Sequence, residues 1–236
     1  MGRRIFIGDI QGCLAELEDL LEAVGLEPGV DEIHPVGDFV NRGPENLRVL
    51  RLMRELGAGG VLGNHDVHLL RTARGLRELA DSDTIEDVLG APDRDELLAW
   101  LAERPFALGW DDVLAIHAGV HPRWDDPVEL LRDKEPWTRD PDVDFATRVR
   151  WCTADGRMPE RDEPPPGPPF RPWYEFARER PWTIVFGHWS QRGLVRERGV
   201  CGLDTGCVWG GSLTAWVPEE ERIEQIPARR AYQSPG

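Results

Sequence analysis

The sequence predicts an α/β fold whose polar loops gather at one edge of a sheet. Short apolar runs that end in a Gly-Asp or Gly-His pair recur along the chain. Several of these runs lead into a segment whose apolar residues repeat at helical spacing, so the strand–loop–helix order is repeated. Loops that follow strands in an open α/β sheet lie at its carboxyl edge, where such folds bind ligands. The pattern therefore predicts both the fold class and the edge that carries the functional site.

The first half of the chain contains two complete strand–loop–helix units. Apolar residues 4–7 and 33–36 predict two short strands, and apolar residues at helical spacing predict a helix after each, over residues 14–24 and 47–56. A glycine ends each helical pattern, as is common at helix C-termini. Further apolar runs lie at residues 61–62, 113–116, 183–186, 200–203 and 212–217, and helical spacing recurs over residues 84–104.

Length and proline content predict the domain organisation. Residues 1–236 are expected to form one domain, because this length and a 40% hydrophobic content suit a single core. Seven prolines between residues 159 and 172 can neither donate backbone hydrogen bonds nor sit inside a helix. We therefore expect a surface loop or lid around residues 153–175.

The acidic composition excludes some partners. A net charge of −15 argues against binding to DNA or to an anionic membrane surface. No stretch approaches the ~18 apolar residues of a membrane span, and the N-terminal apolar run is far shorter than a signal sequence. We therefore expect a cytoplasmic protein with reduced cysteines. Any phosphate-bearing substrate would have to be held by local positive charge.

Five loops present an oxygen or imidazole side chain directly after an apolar run. Alone, each has an ordinary explanation, because a Gly-Asp pair usually marks a turn and a single histidine usually forms a hydrogen bond near the core. Together they provide oxygen and nitrogen donors that suit divalent Mn, Fe, Co or Zn, and one carboxylate can bridge two ions. The candidate ligands are Asp9, Asp38, Asn64, His117 and His188.

The sequence around these side chains forms longer motifs. The loops read GDIQG from residue 8, GDFVNRG from residue 37, GNHD from residue 63, HAG from residue 117 and GHW from residue 187. In this order they resemble the calcineurin-like metallophosphoesterases, and the match spans the chain. Within that family the sequence is most similar to the bacterial symmetrical bis(5'-nucleosyl)-tetraphosphatases. The most branch-specific likeness is the segment LDTGCVWGGSLT from residue 203.

The resemblance implies a fold and a metal centre. The family folds as a four-layer α/β/β/α sandwich, in which two mixed sheets are flanked by helices. The family binds two divalent ions, of which Mn²⁺ is expected here, with Co²⁺, Fe or Zn²⁺ as alternatives. By position, Asp9 would bind the first ion, Asp38 would bridge both, and Asn64, His117 and His188 would bind the second.

The sequence departs from the superfamily pattern at two positions. Gln11 stands where histidine is usual, and a neutral amide is a poorer ligand, so the first ion is expected to bind more weakly or to be held with more water. Asn41 stands where many relatives have aspartate. The resemblance makes His65 the general acid, with Asp66 beside it, a role that suits an imidazole. Asn41 can orient His65 but adds no charge; the alternative for His65 is a structural role beside the metal centre.

Three arginines are the expected phosphate contacts. Arg42 follows the bridging loop, and a planar guanidinium can bind two phosphate oxygens at once. Arg148 and Arg150 match a stretch of the tetraphosphatases, and a substrate with four phosphates needs more than one cation. The alternatives are a surface ion pair for Arg42 and solvated positions for the other two.

The resemblance also implies a reaction. A metal-bound hydroxide would cleave diadenosine tetraphosphate, or a related dinucleoside polyphosphate, symmetrically to two ADP. Within the same superfamily the alternatives are a protein serine/threonine phosphatase and an enzyme that removes nucleoside-tetraphosphate caps from RNA 5' ends. A non-catalytic metal- or nucleotide-binding module is the alternative from another class, and the presence of both His65 and Arg42 argues against it.

Overall fold

The computed structural model describes residues 2–162, 165–197 and 199–233 of the chain. The helices are α1 (Leu14–Val24), α2 (Asn46–Glu55), α3 (Asn64–Ala73), α4 (Glu86–Leu89), α5 (Arg94–Ala102), α6 (Pro127–Leu131) and α7 (Pro141–Arg148). The strands are β1 (Arg4–Ile7), β2 (Glu32–Pro35), β3 (Ala107–Gly109), β4 (Val113–Ile116), β5 (Trp151–Cys152), β6 (Arg171–Pro172), β7 (Thr183–Phe186), β8 (Val195–Glu197), β9 (Val200–Gly202), β10 (Ser212–Val217) and β11 (Arg222–Pro227).

Two mixed sheets form the centre of the fold. The first has the strand order β11-β10-β1-β2, in which β1 and β2 run parallel and the β1–β10 and β10–β11 pairs are antiparallel. The second has the order β3-β4-β7-β9-β8, with β4, β7 and β9 parallel and an antiparallel strand at each edge. The predicted arrangement of two mixed sheets flanked by helices is confirmed.

Alternate residues of the central strands pack into different layers. Phe6 and Trp216 of the first sheet belong to one buried cluster with Ala115 and Val185 of the second sheet. Ile5, one residue from Phe6, belongs instead to the larger cluster that includes the apolar residues of α1 and α2. Because strand side chains alternate between faces, the central strands β1, β4 and β7 are buried on both sides and appear in the sequence as continuous apolar runs.

Two predicted elements differ from the structure. The helix predicted over residues 84–104 is interrupted. α4 ends at Leu89, with Gly90 as its C-cap, and α5 begins only after Pro92, which cannot continue a helix and restricts the residue before it. The apolar run Val61–Leu62 is not a strand, although the Val61 N–H donates to the Pro35 carbonyl at 3.1 Å and so follows β2.

The proline-rich segment emerges from a two-stranded ribbon. Strands β5 and β6 pair antiparallel, with Trp151 opposite Pro172. Between them the described residues are turns and irregular backbone, and most are exposed; residues 163–164 of the predicted loop lie outside the described part. Elsewhere, no described helix is long and apolar enough to cross a membrane.

Candidate metal centre and catalytic cleft

Strand ends from both sheets bring the predicted ligands together. Asp9 and Asp38 follow the parallel strands β1 and β2, while His117 and His188 follow the parallel strands β4 and β7. Because parallel strands end at the same edge, carboxylates from one sheet meet imidazoles from the other. Ligand atoms of Asp9, Asp38 and His117 all lie within 4.8 Å of one another, and all three residues are buried.

The loops of this centre hold unusual backbone conformations. Six non-glycine residues of the described chain have positive φ angles, and five of them lie in the candidate site. Such conformations cost on the order of 1–3 kcal/mol each and persist where the surrounding structure enforces them. Their clustering therefore marks the site independently of any motif. They are Gln11 (φ 47°), Asp38 (φ 53°), Asn41 (φ 80°), Arg42 (φ 71°) and His188 (φ 68°).

Two backbone carbonyls fix the tautomers of the histidines. Nδ1 of His117 donates to the Val36 carbonyl at 2.8 Å, and Nε2 of His188 donates to the Arg148 carbonyl at 3.0 Å. A carbonyl oxygen can only accept, so the lone pairs of the two rings are on Nε2 of His117 and Nδ1 of His188. Burial lowers the pKa of both imidazoles, which keeps them neutral. Neutral imidazoles with fixed lone pairs are suited to binding a metal ion.

Those lone pairs converge on Asn64 and Asp38. One terminal atom of the Asn64 carboxamide lies 3.2 Å from Nε2 of His117 and 2.8 Å from Nδ1 of His188. Oδ1 of Asp38 lies 3.4 Å from the same Nε2 of His117, and Nε2 of Gln11 lies 3.4 Å from Oδ2 of Asp38. The Asp38 carboxylate therefore has one oxygen on the histidine side and one on the Gln11 side. This donor set fits two divalent ions sharing Asp38.

Asp204 is a site residue that the sequence reasoning missed. It lines the same cleft as Asp9 and Asp38. Burial, followed by the charges of Asp204 and Asp38, raises the pKa of Asp9 well above its ordinary value, and burial also raises the pKa of Asp204. Buried carboxylates this close are costly unless a cation offsets their charge. The signal was available, because Asp204 follows the apolar run 200–203 as the other candidate ligands follow theirs.

His65 lies at the start of α3 with its ring on the cleft. Its Nδ1 is 3.1 Å from Nδ2 of Asn41, an amide nitrogen that can only donate, so the ring proton is on Nε2. That Nε2 lies 4.0 Å from Oδ2 of Asp38. Burial lowers the pKa of His65 to about 4. Asp66, in contrast, accepts backbone N–H groups from Asp38, Phe39 and Gly63 at 2.8–3.0 Å and so holds the bridging loop against α3.

The three predicted phosphate-binding arginines take different positions. Of the three, only Arg150 is among the described residues that line the cleft, and its buried Nε has no hydrogen-bond partner in the described chain. Arg42 donates through Nη1 to the carbonyl and hydroxyl of Ser82. Arg148 forms a long ion pair with Asp144, while its carbonyl orients His188. The structure thus places one of the three in the cleft.

The cleft extends beyond the candidate ligands. Its volume is about 430 Å³, within the usual range for small-molecule sites. Trp209 is partly exposed on its wall, whereas Trp189 is buried against Trp151 and Tyr174. The remaining lining residues away from the ligands are Ser190, Gln191, Thr205, Gly206 and Gly211.

The sequence is similar to known proteins over nearly its full length. The family model for calcineurin-like phosphoesterase matches residues 2–214. A protein of Janthinobacterium sp. (strain Marseille) named symmetrical bis(5'-nucleosyl)-tetraphosphatase is 40% identical, with 98% of this chain and 97% of that protein covered. A protein of the same name from Ralstonia nicotianae is 41% identical, with 95% and 94% covered.

Solved structures show the same fold. A crystal structure described as that of a candidate diadenosine tetraphosphatase superimposes with a TM-score of 0.78 at 35% identity, covering 96% of this chain and 94% of the other. A protein serine/threonine phosphatase from Saccharomyces cerevisiae gives a TM-score of 0.64 at 14% identity, covering 95% and 79%. The second likeness concerns the fold alone.

Proposed function

This chain belongs to the calcineurin-like phosphoesterase family, and we propose that it hydrolyses dinucleoside polyphosphates, in particular diadenosine tetraphosphate, symmetrically to two nucleoside diphosphates. The proposal rests on one combined observation. The candidate ligands converge in a chain that is about 40% identical, over nearly its full length, to relatives named for this reaction. In the reaction, water adds to a central phosphorus, the bridging P–O bond breaks, and a second nucleoside diphosphate leaves.

The donor set would hold two divalent ions, for which we propose Mn²⁺. Oxygen and imidazole donors without thiolates suit this ion. When bound, such ions neutralise phosphate charge and make water more acidic. Asp9, Asp38 and Gln11 would hold the first ion, and Asp38, Asn64, His117 and His188 the second.

The chain's own side chains would orient the substrate and hydrogen-bond to the leaving group. Arg150 has a buried Nε without a partner in the described chain, which a phosphate oxygen would satisfy. His65 lines the cleft with its ring N–H on Nε2, and this N–H would donate a hydrogen bond to the oxygen of the leaving nucleoside diphosphate. Arg42, close to His65, would bind a further phosphate oxygen.

A product assay tests this function. The protein would be incubated with diadenosine tetraphosphate and Mn²⁺, and the nucleotides separated. We expect ADP as the sole product; ATP plus AMP, or no turnover, would overturn the proposal. A phosphopeptide and an RNA with a nucleoside-tetraphosphate 5' cap, assayed in parallel, would reveal either alternative reaction. His188→Ala, which removes a candidate ligand, should abolish turnover in every assay.

A further inference from the structure

Asp83 is a buried carboxylate outside the metal centre, in the loop between α3 and α4. Its side chain is only 2% exposed. Oδ1 accepts from Nδ2 of Asn41 at 2.9 Å and from Nη1 of Arg42 at 3.3 Å. Oδ2 accepts from the Ala80 N–H at 2.8 Å and lies 2.6 Å from Nε2 of His68. Although burial raises the pKa of Asp83, these hydrogen bonds outweigh it and hold the pKa at about 2.

Asp83 reaches His65 through the carboxamide of Asn41. The oxygen of that carboxamide accepts from the Arg42 N–H at 2.8 Å and the Thr84 N–H at 3.1 Å. Its orientation is therefore fixed, and the nitrogen must face both Asp83 and Nδ1 of His65. Since Nδ1 of His65 can then only accept, the ring proton is held on Nε2, the atom that faces the reaction.

Asp83 also helps to anchor Arg42. Nη1 of Arg42 donates to Asp83 and to two acceptors on Ser82, at 2.6 and 2.7 Å. Nε and Nη2 have no hydrogen bond to any residue of the described chain. One corner of the guanidinium is thus fixed, and the three N–H groups on Nε and Nη2 stay available to bind phosphate oxygens.

We propose that Asp83 is a positioning residue for the hydrolytic reaction. Through Asn41 it holds His65 with its Nε2–H available to hydrogen-bond to the leaving oxygen, and it holds the phosphate-binding Arg42 directly. The inference rests on the proposed function. An aspartate at position 41 would pair with His65 directly and require its Nδ1 to donate. The Asn41–Asp83 pair instead places the negative charge one side chain further away, and the Asn41 amide requires Nδ1 of His65 to accept, which leaves the ring N–H on Nε2.

The first test is a double-mutant cycle between Asp83→Asn and His65→Ala. Asp83→Asn keeps the shape of the side chain but replaces one accepting oxygen by an NH₂ group, which faces hydrogen-bond donors. We expect kcat to fall at least about tenfold, KM to rise through Arg42, and bound Mn²⁺ to stay unchanged. In the His65→Ala background, Asp83→Asn should have little further effect on kcat. Equal effects in both backgrounds, or loss of Mn²⁺, would overturn the proposal. Asp81→Asn, an exposed neighbour, is the matched control.

A second variant covers the case in which Asp83→Asn does not fold. The double exchange Asn41→Asp/Asp83→Asn keeps an amide–carboxylate pair but reverses its direction, so Nδ1 of His65 has to donate. The ¹⁵N resonances of the His65 ring should show the proton on Nε2 in the wild type and on Nδ1 in the exchange variant. Wild-type resonances together with wild-type kcat would refute the proposal. The kcat is measured with p-nitrophenyl phosphate as well as with the dinucleotide. A refuted role for Asp83 can then be distinguished from a wrongly assigned substrate.

Discussion

Replacing Gly187 by alanine tests whether Asp9 binds one of the two ions. A Cβ at position 187 would lie 2.0 Å from Oδ1 of Asp9, whereas real Cβ contacts stay beyond 3.0 Å. The carboxylate must therefore shift by about 1 Å or more, which disrupts the bifurcated hydrogen bond that its two oxygens accept from the His188 N–H at 3.0 and 3.2 Å. Losing a hydrogen bond to a charged group costs about 1.5–3 kcal/mol. One ion should then bind roughly 10- to 100-fold more weakly.

Calorimetric titration of EDTA-treated protein with Mn²⁺ measures the effect. Two sites are expected in the wild type, and only one should weaken in Gly187→Ala, because Asp38 and the histidine side are not displaced. Gly167→Ala is the matched control, since a Cβ there meets no atom of the described residues within 4 Å. Wild-type affinity at both sites of a folded Gly187→Ala protein would show that Asp9 is not a ligand.

Two further predictions concern pH and phosphate binding. The Arg3 guanidinium lowers the pKa of Asp31 to about 2, so this carboxylate stabilises the fold above its unfolded pKa of about 4 and the effect is lost as pH falls towards 2. Asp31→Asn should lower the free energy of unfolding, measured by urea titration, by about 1–2 kcal/mol at pH 7 and by nearly nothing at pH 2. Equal losses at both pH values would contradict a stabilising effect that depends on ionisation of Asp31. Arg150→Gln should raise KM for the dinucleotide about tenfold with little change in stability, whereas Arg123→Gln, at an exposed position, should not. An unchanged KM would remove Arg150 from the substrate contacts.

The core strands were predictable because of where they lie. β1, β4 and β7 are buried on both faces, so they appear as continuous apolar runs, and their ends supply the candidate ligands. Helical periodicity was less reliable over residues 84–104, because apolar spacing continued across Pro92 while the backbone could not. The pattern of apolar residues along the chain thus predicted the strands whose burial on both faces determines that pattern.

The Asn41–Asp83 pair could not have been predicted from local pattern. Asp83 lies 42 residues after Asn41, in a loop without periodicity, and only the tertiary fold brings them within 2.9 Å. Asn41 looked like the loss of a charged partner for His65. The structure shows instead that the carboxylate is present one hydrogen bond further away. A substitution that weakens a motif in sequence can therefore be compensated by a residue that no motif contains.

The charge of the cleft predicts the order in which ions and substrate bind. Asp9, Asp38 and Asp204 line it, and Arg150 is the only arginine or lysine among its described lining residues. A polyphosphate entering the metal-free cleft would meet this cluster of acidic side chains in a low-dielectric setting, where any negative charge that they carry repels it strongly. Divalent ions reverse that sign, so the protein should bind substrate only after its ions. Equilibrium dialysis with radiolabelled ADP should detect binding in Mn²⁺ and at least about tenfold weaker binding after EDTA treatment. Equal affinity in both states would mean that arginines alone hold the phosphates, and that the carboxylates do not face them.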